Sequence, residues 1–314
     1  MNTSEKKETR DGFGKALVTL AKKDKDIVSL DCDLGRSTRA YNISEVDEGR
    51  FYDMGIAEQD MISTAAGMAS VGKNVFASTF AVFLTGRGYD QIRQQIALPK
   101  LRVRLCGSSA GLTLGPDGAT HQSVLDMGLM RLLPNMTVLS PADYDQAVQL
   151  VEAASECDGP VYIRLSRFPT VKNIPDDLDF VLGKGQVLQN GDNIVLCGTG
   201  PIMQEVNKAA EMLALYGRKV GVVNFHTIKP IDNDLIIKLM NDYKTIVSVE
   251  EHSIYGGLGT AIAEVMSENT SGTACTLVRH GVNDHFGESG GQMELLEKYQ
   301  LDAAGIVKVA EAVQ

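Results

Sequence analysis

Two hydrophobic periods alternate along the chain. Short apolar runs, often β-branched, recur at 27–32, 75–79, 103–106, 137–140 and 161–165. Longer helix-patterned stretches lie around and between them, at 11–23, 57–72, 85–97, 122–132 and 142–155. Short strands separated by helices of ten or more residues imply parallel pairing with both sheet faces covered. Ser140-Pro141-Ala142-Asp143 predicts the start of the last of these helices, with Ser140 as cap and Pro141 at the first helical position. The rhythm breaks between 168 and 192, where Pro169, Pro175, Gly183, Gly185 and Asn190-Gly191-Asp192 read as a connection. It resumes with strands at 194–198, 219–225, 245–250 and 275–279, and helices at 201–216, 232–241, 257–267, 291–298 and 302–312. The expected fold class is α/β in two consecutive domains, each a mostly parallel sheet flanked by helices. The first covers 1–189, including a linker at 168–189, and the second covers 190–314.

Composition narrows the partners. A chain of 314 residues can bury two sizeable cores. A formal charge of −10 and a pI near 5.0 argue against nucleic-acid or anionic-membrane surfaces, although a few local arginines suffice for a phosphate. Cys32, Cys106, Cys157, Cys197 and Cys275 form no C-x-x-C pair and mostly sit in apolar runs, as reduced thiols of a cytoplasmic protein do. Residues 1–10 are polar and carry no apolar signal segment. No stretch approaches the ~18 continuous apolar residues of a membrane helix. A soluble cytoplasmic protein is expected.

The chemistry concentrates in Met54-Gly55-Ile56-Ala57-Glu58-Gln59-Asp60-Met61 and Ser78-Thr79-Phe80-Ala81-Val82-Phe83. An acidic residue opens an Ala- and Gly-rich helix, and two aromatics that can share a face follow a strand. A helix dipole alone also favours a glutamate there, and Phe80 and Phe83 alone would pass for core. Together, an acid and stacked aromatics can bind a flat, basic heteroaromatic ring and exchange a proton with it. That exchange needs an acid in a poorly solvated position, where desolvation favours the protonated form.

These segments resemble the pyrimidine-binding half of the transketolase family, and the resemblance covers nearly all of the chain. It implies thiamine diphosphate as cofactor, with Glu58 at the ring nitrogen, Phe83 stacked on the ring, Phe80 in support and Asp33 near the cofactor. Gly86-Arg87-Gly88-Tyr89-Asp90 is similar to the family too, one residue longer than in many members. Gly115-Pro116-Asp117-Gly118-Ala119-Thr120-His121-Gln122 resembles the family's substrate loop. It casts Asp117 as a contact to a sugar hydroxyl and His121 as a contact to the reacting oxygens. Arg10, Ser37 and Arg167 match positions that grip a sugar phosphate, work that suits the arginine fork. Ser109 departs from the pattern, standing where many members place a substrate-contacting histidine. That leaves the sugar open.

A family diphosphate–Mg2+ site uses Gly-Asp-Gly with a later Asn, and the chain has no Gly-Asp-Gly. Asp31 and Asp33 alone make a weak metal pair. The resemblance therefore implies the C-terminal subunit of a split transketolase, with no metal ligands of its own. A separate N-terminal subunit would bring the diphosphate and Mg2+ site within an α2β2 heterotetramer. Together they would transfer a two-carbon ketol unit between sugar phosphates, such as those of the pentose phosphates. Two other readings are a β subunit of the decarboxylating component of a 2-oxo acid dehydrogenase, and a catalytically silent assembly subunit. In the second domain, Gly198-Thr-Gly200-Pro201 and Gly256-Gly-Leu-Gly259 complete no nucleotide fingerprint. His226, His252, His280 and His285 are expected to be structural or interfacial.

Overall fold

The computed structural model describes residues 5–269 and 274–313. Residues 1–4, part of the polar N-terminal segment, lie outside the described residues. Among the described residues the chain forms β1 (Ile27–Asp31), β2 (Phe51–Asp53), β3 (Asn74–Phe80), β4 (Val103–Ser108), β5 (Thr137–Leu139), β6 (Val161–Arg164), β7 (Gln186–Gln189), β8 (Ile194–Gly198), β9 (Gly221–Asn224), β10 (Thr227–Lys229), β11 (Thr245–Ser253) and β12 (Thr276–Val282).

The first sheet has the order β10-β5-β6-β4-β3-β1-β2 and the second β12-β11-β8-β9-β7. Pairing is parallel throughout, except at β10–β5 and β7–β9. Both sheets are thus mostly parallel and flanked by helices, in agreement with the apolar strand pattern. The central strands β1, β3, β4, β6 and β8 are buried along their whole length, as strands with covered faces must be.

The two units are not independent. Strand β10 comes from the second half of the chain, yet closes the edge of the first sheet beside β5. One apolar cluster also runs through both, joining Met61, Ala65 and Met127 to Val195, Phe225, Ile246 and Leu258. The far face of the first sheet is covered by helices Thr9–Lys23 and Tyr144–Glu156, through Phe13, Leu17, Leu150 and Val151.

Three local expectations differ. Helix Tyr144–Glu156 is capped by Asp143, whose carboxylate accepts from the Gln146 amide at 2.9 Å, and not by Ser140. Ser140 instead directly follows β5, its N–H donating to the His226 carbonyl at 2.9 Å. The 122–132 stretch becomes helical only from Asp126, because Gln122 and Ser123 are used in loop contacts. The 85–97 stretch divides into Ala81–Arg87, Tyr89–Gln91 and a π-helical turn Ile92–Ala97. Gly88 sits at the break, where an added Cβ would lie 2.1 Å from Ile62 Cδ1.

Candidate active site

The sequence-selected residues gather at one edge of the first sheet. Asp33 follows β1, Glu58 follows β2, Phe83 follows β3, His121 follows β4 and Arg167 follows β6. These are the carboxyl ends of parallel strands, where open α/β sheets bind ligands. Arg10 joins them from the start of helix Thr9–Lys23, its backbone N–H donating to the Ser166 carbonyl at 3.3 Å.

A cavity of about 270 Å³ is lined by Cys32, Asp33, Leu34, Ile56, Glu58, Phe80, Phe83, Arg87 and His121. Glu58 is the first residue of helix Glu58–Ser70 and is only 4 % exposed. Phe80 and Phe83 lie nearly parallel, 6.1 Å apart at 12°. The His121 ring stands edge-on to both, 5.2 Å from Phe83 and 6.3 Å from Phe80. The acid, the aromatics and His121 thus share one cleft. Ile56, at its rim, is 75 % exposed.

Arg87 was open in the sequence, and the structure gives it a place. Its Nη1 donates to both Glu58 oxygens, at 3.3 and 3.4 Å, and its guanidinium lies 4.4 Å over the Phe83 ring. The only sequence signal was its position in Gly86-Arg87-Gly88.

Asp31 and Asp33 diverge. Asp31 is buried and takes the Leu34 amide and the Thr38 hydroxyl, each at 2.6 Å. Burial pushes its carboxyl up to about 7. Asp33 is exposed at the cavity mouth, with φ +62° and its amide on Asp53 at 3.0 Å. Cys32 is buried, and burial raises its thiol to about 12, which suits packing rather than nucleophilic work.

Arg10, Ser37 and Arg167, the residues expected to grip a phosphate, do not meet one another as one cluster but fall into two pairs. Arg10 Nη1 donates to the Ser37 carbonyl at 2.9 Å and its hydroxyl at 3.1 Å, while Nε contacts Glu8. Arg167 instead meets Asp117, at 2.9 Å, and donates through Nε to the Leu114 carbonyl at 3.0 Å. The structure therefore joins Arg167 to the Gly115–Gln122 loop. His121 Nδ1 lies 2.8 Å from the Thr120 hydroxyl. Ser109 is fully buried at φ +56°, with no partner for its hydroxyl among the described residues.

Of the remaining histidines, His226 and His252 are fully buried, His280 Nε2 meets the Gln300 carbonyl, and His285 is exposed. All five cysteines are free. No helix among the described residues is long and apolar enough to cross a membrane.

The cleft fits one end of a thiamine-type cofactor. The planar guanidinium of Arg87 already shows that a flat, donor-bearing group can lie on Phe83 and meet both Glu58 oxygens. At about 270 Å³ the cavity is smaller than the ~300–1,000 Å³ of sites that enclose a whole ligand. Its lining offers one arginine, engaged with Glu58, and no lysine. The residues fit an aminopyrimidine and offer a diphosphate little.

Fold and site thus define a two-domain α/β protein with a small cleft, lined by an acid, two aromatics and a histidine, at the carboxyl edge of its first sheet. Residues 5–170 match the transketolase pyrimidine-binding domain, and residues 183–306 match the transketolase C-terminal domain. The chain belongs to the transketolase family, and its activity class is that of a transketolase-type transferase. It is 42 % identical over 304 residues to a protein of Methanocaldococcus jannaschii described as a transketolase C-terminal section, covering 96 % of this chain and 95 % of that one. It is 38 % identical to the 6-deoxy-6-sulfo-D-fructose transketolase subunit of a Clostridium species, covering 97 % and 94 %. A solved structure described as a split-gene transketolase, inactive β4 tetramer, superposes with a TM-score of 0.87 at 42 % identity, covering 97 % of each chain. Members of the family use thiamine diphosphate and a divalent metal.

Proposed function

We propose that this chain holds the aminopyrimidine end of thiamine diphosphate and works with a separate diphosphate-binding subunit. The pair transfers a two-carbon ketol unit between sugar phosphates. The observation that carries the reading is the buried Glu58 carboxylate sharing a small cleft with Phe83 and His121.

When bound, the cofactor supplies the nucleophilic carbon that accepts the two-carbon fragment. Glu58, itself buried at the wall of the cleft, would share a proton with the ring nitrogen. Phe83 offers the stacking face and Phe80 backs it. Asp33 borders the cofactor at the cavity mouth. His121 holds or moves a proton at the reacting hydroxyl or carbonyl oxygen, and Asp117 accepts from a sugar hydroxyl. Arg10, Ser37 and Arg167 bind the anionic end of the sugar.

The diphosphate and its Mg2+ belong to the partner subunit in this reading, which the small cavity and its single arginine support. The description of a 42 % identical relative as an inactive β4 tetramer supports it as well. The working assembly would be an α2β2 heterotetramer in the cytoplasm, with pentose phosphates among its substrates.

Turnover on ketose phosphates tests this reading. The chain alone should give none, and adding the diphosphate-binding subunit with Mg2+ should restore it. Robust turnover from the chain by itself would overturn the two-subunit reading.

A further inference from the structure

The Gly115–His121 loop is held on one side by its own domain and on the other by the C-terminal domain. We infer that Glu251 and Gln292, both from the C-terminal domain, are positioning residues for the substrate loop and act on the reaction through Asp117 and His121. The inference rests on the reading above, in which that loop meets the sugar.

Thr113 carries the argument. Its backbone N–H donates to Glu251 Oε1, from β11, and its carbonyl accepts from Gln292 Nε2 at 2.7 Å. Both backbone groups of this residue, in the helical turn Leu112–Leu114 that leads into the loop, are thus taken by the other domain. Glu251 is 2 % exposed, and its carboxylate packs directly on Gly111. At φ +86°, with Oε1 only 2.4 Å from where a Cβ would stand, Gly111 leaves room for no side chain.

The next residues continue the pattern. Gln122 Nε2 links the Leu112 carbonyl (3.0 Å) and the Gly115 carbonyl (3.2 Å) to the Glu288 carbonyl (2.9 Å). Gly118, at φ +75°, packs against Ser289. Arg167 closes the loop from the first domain through Leu114 and Asp117.

Glu251 is itself anchored. Its backbone carbonyl accepts from Arg164 at 2.8 Å, and Arg164 also pairs with Asp126 at 2.9 Å. The Ser253 amide donates to the Val124 carbonyl at 2.8 Å. The loop therefore cannot move without breaking contacts at the domain junction. Misplacing a reacting group by ~1 Å can cost on the order of 100-fold in rate, so loop placement is a catalytic quantity here.

The test uses the chain reconstituted with its diphosphate-binding subunit, and the variants Gln292→Ala, Glu251→Ala and Glu251→Gln. Gln292→Ala loses one hydrogen bond and should raise the donor KM by ~5-fold. Thiamine diphosphate binding and thermal stability should stay at the wild-type level. Glu251→Ala should lower kcat/KM by ~10-fold or more, whereas Glu251→Gln, which keeps an acceptor for the Thr113 amide, should recover most of it. Amide hydrogen exchange over 112–121 should quicken in both alanine variants. Unchanged exchange, or kinetic losses that only follow lost cofactor binding and melting temperature, would overturn the inference. A complex that turns over no sugar phosphate, yet shows the quickened exchange, would overturn the substrate reading beneath it and the inference with it.

Discussion

Arg87 donates to both carboxylate oxygens of Glu58 while its guanidinium lies 4.4 Å over the ring of Phe83. Those are the acid and the aromatic face that an aminopyrimidine would use, so ring and guanidinium compete for one place. The pair is half-exposed on the arginine side, so its worth is small. Cation–π contact at such a site adds ~0.5–1 kcal/mol. Arg87→Ala should therefore tighten thiamine binding by ~5-fold, read by calorimetry. Weaker binding would make Arg87 a ligand of the ring and not its competitor.

The proposed grip on a sugar phosphate has its own readout. Arg10 and Arg167 are each part-buried and already oriented, by Ser37 and Glu8 in one case and by Leu114 and Asp117 in the other. A charge-assisted hydrogen bond contributes ~1.5–3 kcal/mol. Either arginine to alanine should raise KM for a phosphorylated donor by ~10-fold or more. The same sugar without its phosphate should respond far less, as steady-state kinetics on both donors would reveal.

At the domain junction, Arg164 Nε meets Asp126 at 2.9 Å, and the Tyr162 hydroxyl donates to the same carboxylate at 2.7 Å. Burial is the largest single effect and opposes the Asp126 charge, but Arg164, His252 and the Tyr162 hydroxyl together outweigh it and hold the carboxyl below its ordinary range. Asp126→Ala strands a buried guanidinium and should cost ~3–5 kcal/mol in denaturant unfolding. A loss under ~1 kcal/mol would mean that water reaches Arg164.

His226 sets an acid limit. It is fully buried, 4.9 Å from the Phe180 ring and 2.9 Å from the Thr227 hydroxyl, and its Nε2 has no partner among the described residues. Burial lowers it from 6.5 to about 4. Between those values the unfolded chain binds the proton and the folded chain does not, so stability falls as pH drops from 6.5 to 4. The full window is worth about 3 kcal/mol. His226→Gln should flatten the fall in melting temperature over that range, whatever it does to stability at pH 8.

Much of the fold could be read from the sequence because buried parallel strands are continuous apolar runs, as at 75–79 and 103–106. Phe51–Asp53 could not, since three edge residues, one half-buried and two exposed, give no period. Thr227–Lys229 was hidden for another reason: it pairs with β5, almost ninety residues away, and only tertiary structure reveals that. The same division applies to the site. Glu58, Phe80, Phe83 and His121 were found because a family pattern names them, and the fold brings them into one cleft. Arg87 on Glu58, Arg167 on Asp117 and Glu251 under Thr113 are side-chain pairings between distant elements, which no local spacing encodes.

The central claim is that Glu58 activates a thiamine ring held in this cleft. The most direct test is the exchange rate of the thiamine C2 proton with deuterium, followed by NMR in the complex of this chain with its diphosphate-binding subunit. Positioned acid–base catalysis contributes ~10²–10⁴-fold, so Glu58→Gln should slow exchange by that order while the cofactor still binds. Equal exchange in wild type and variant, both saturated with cofactor, would contradict the account.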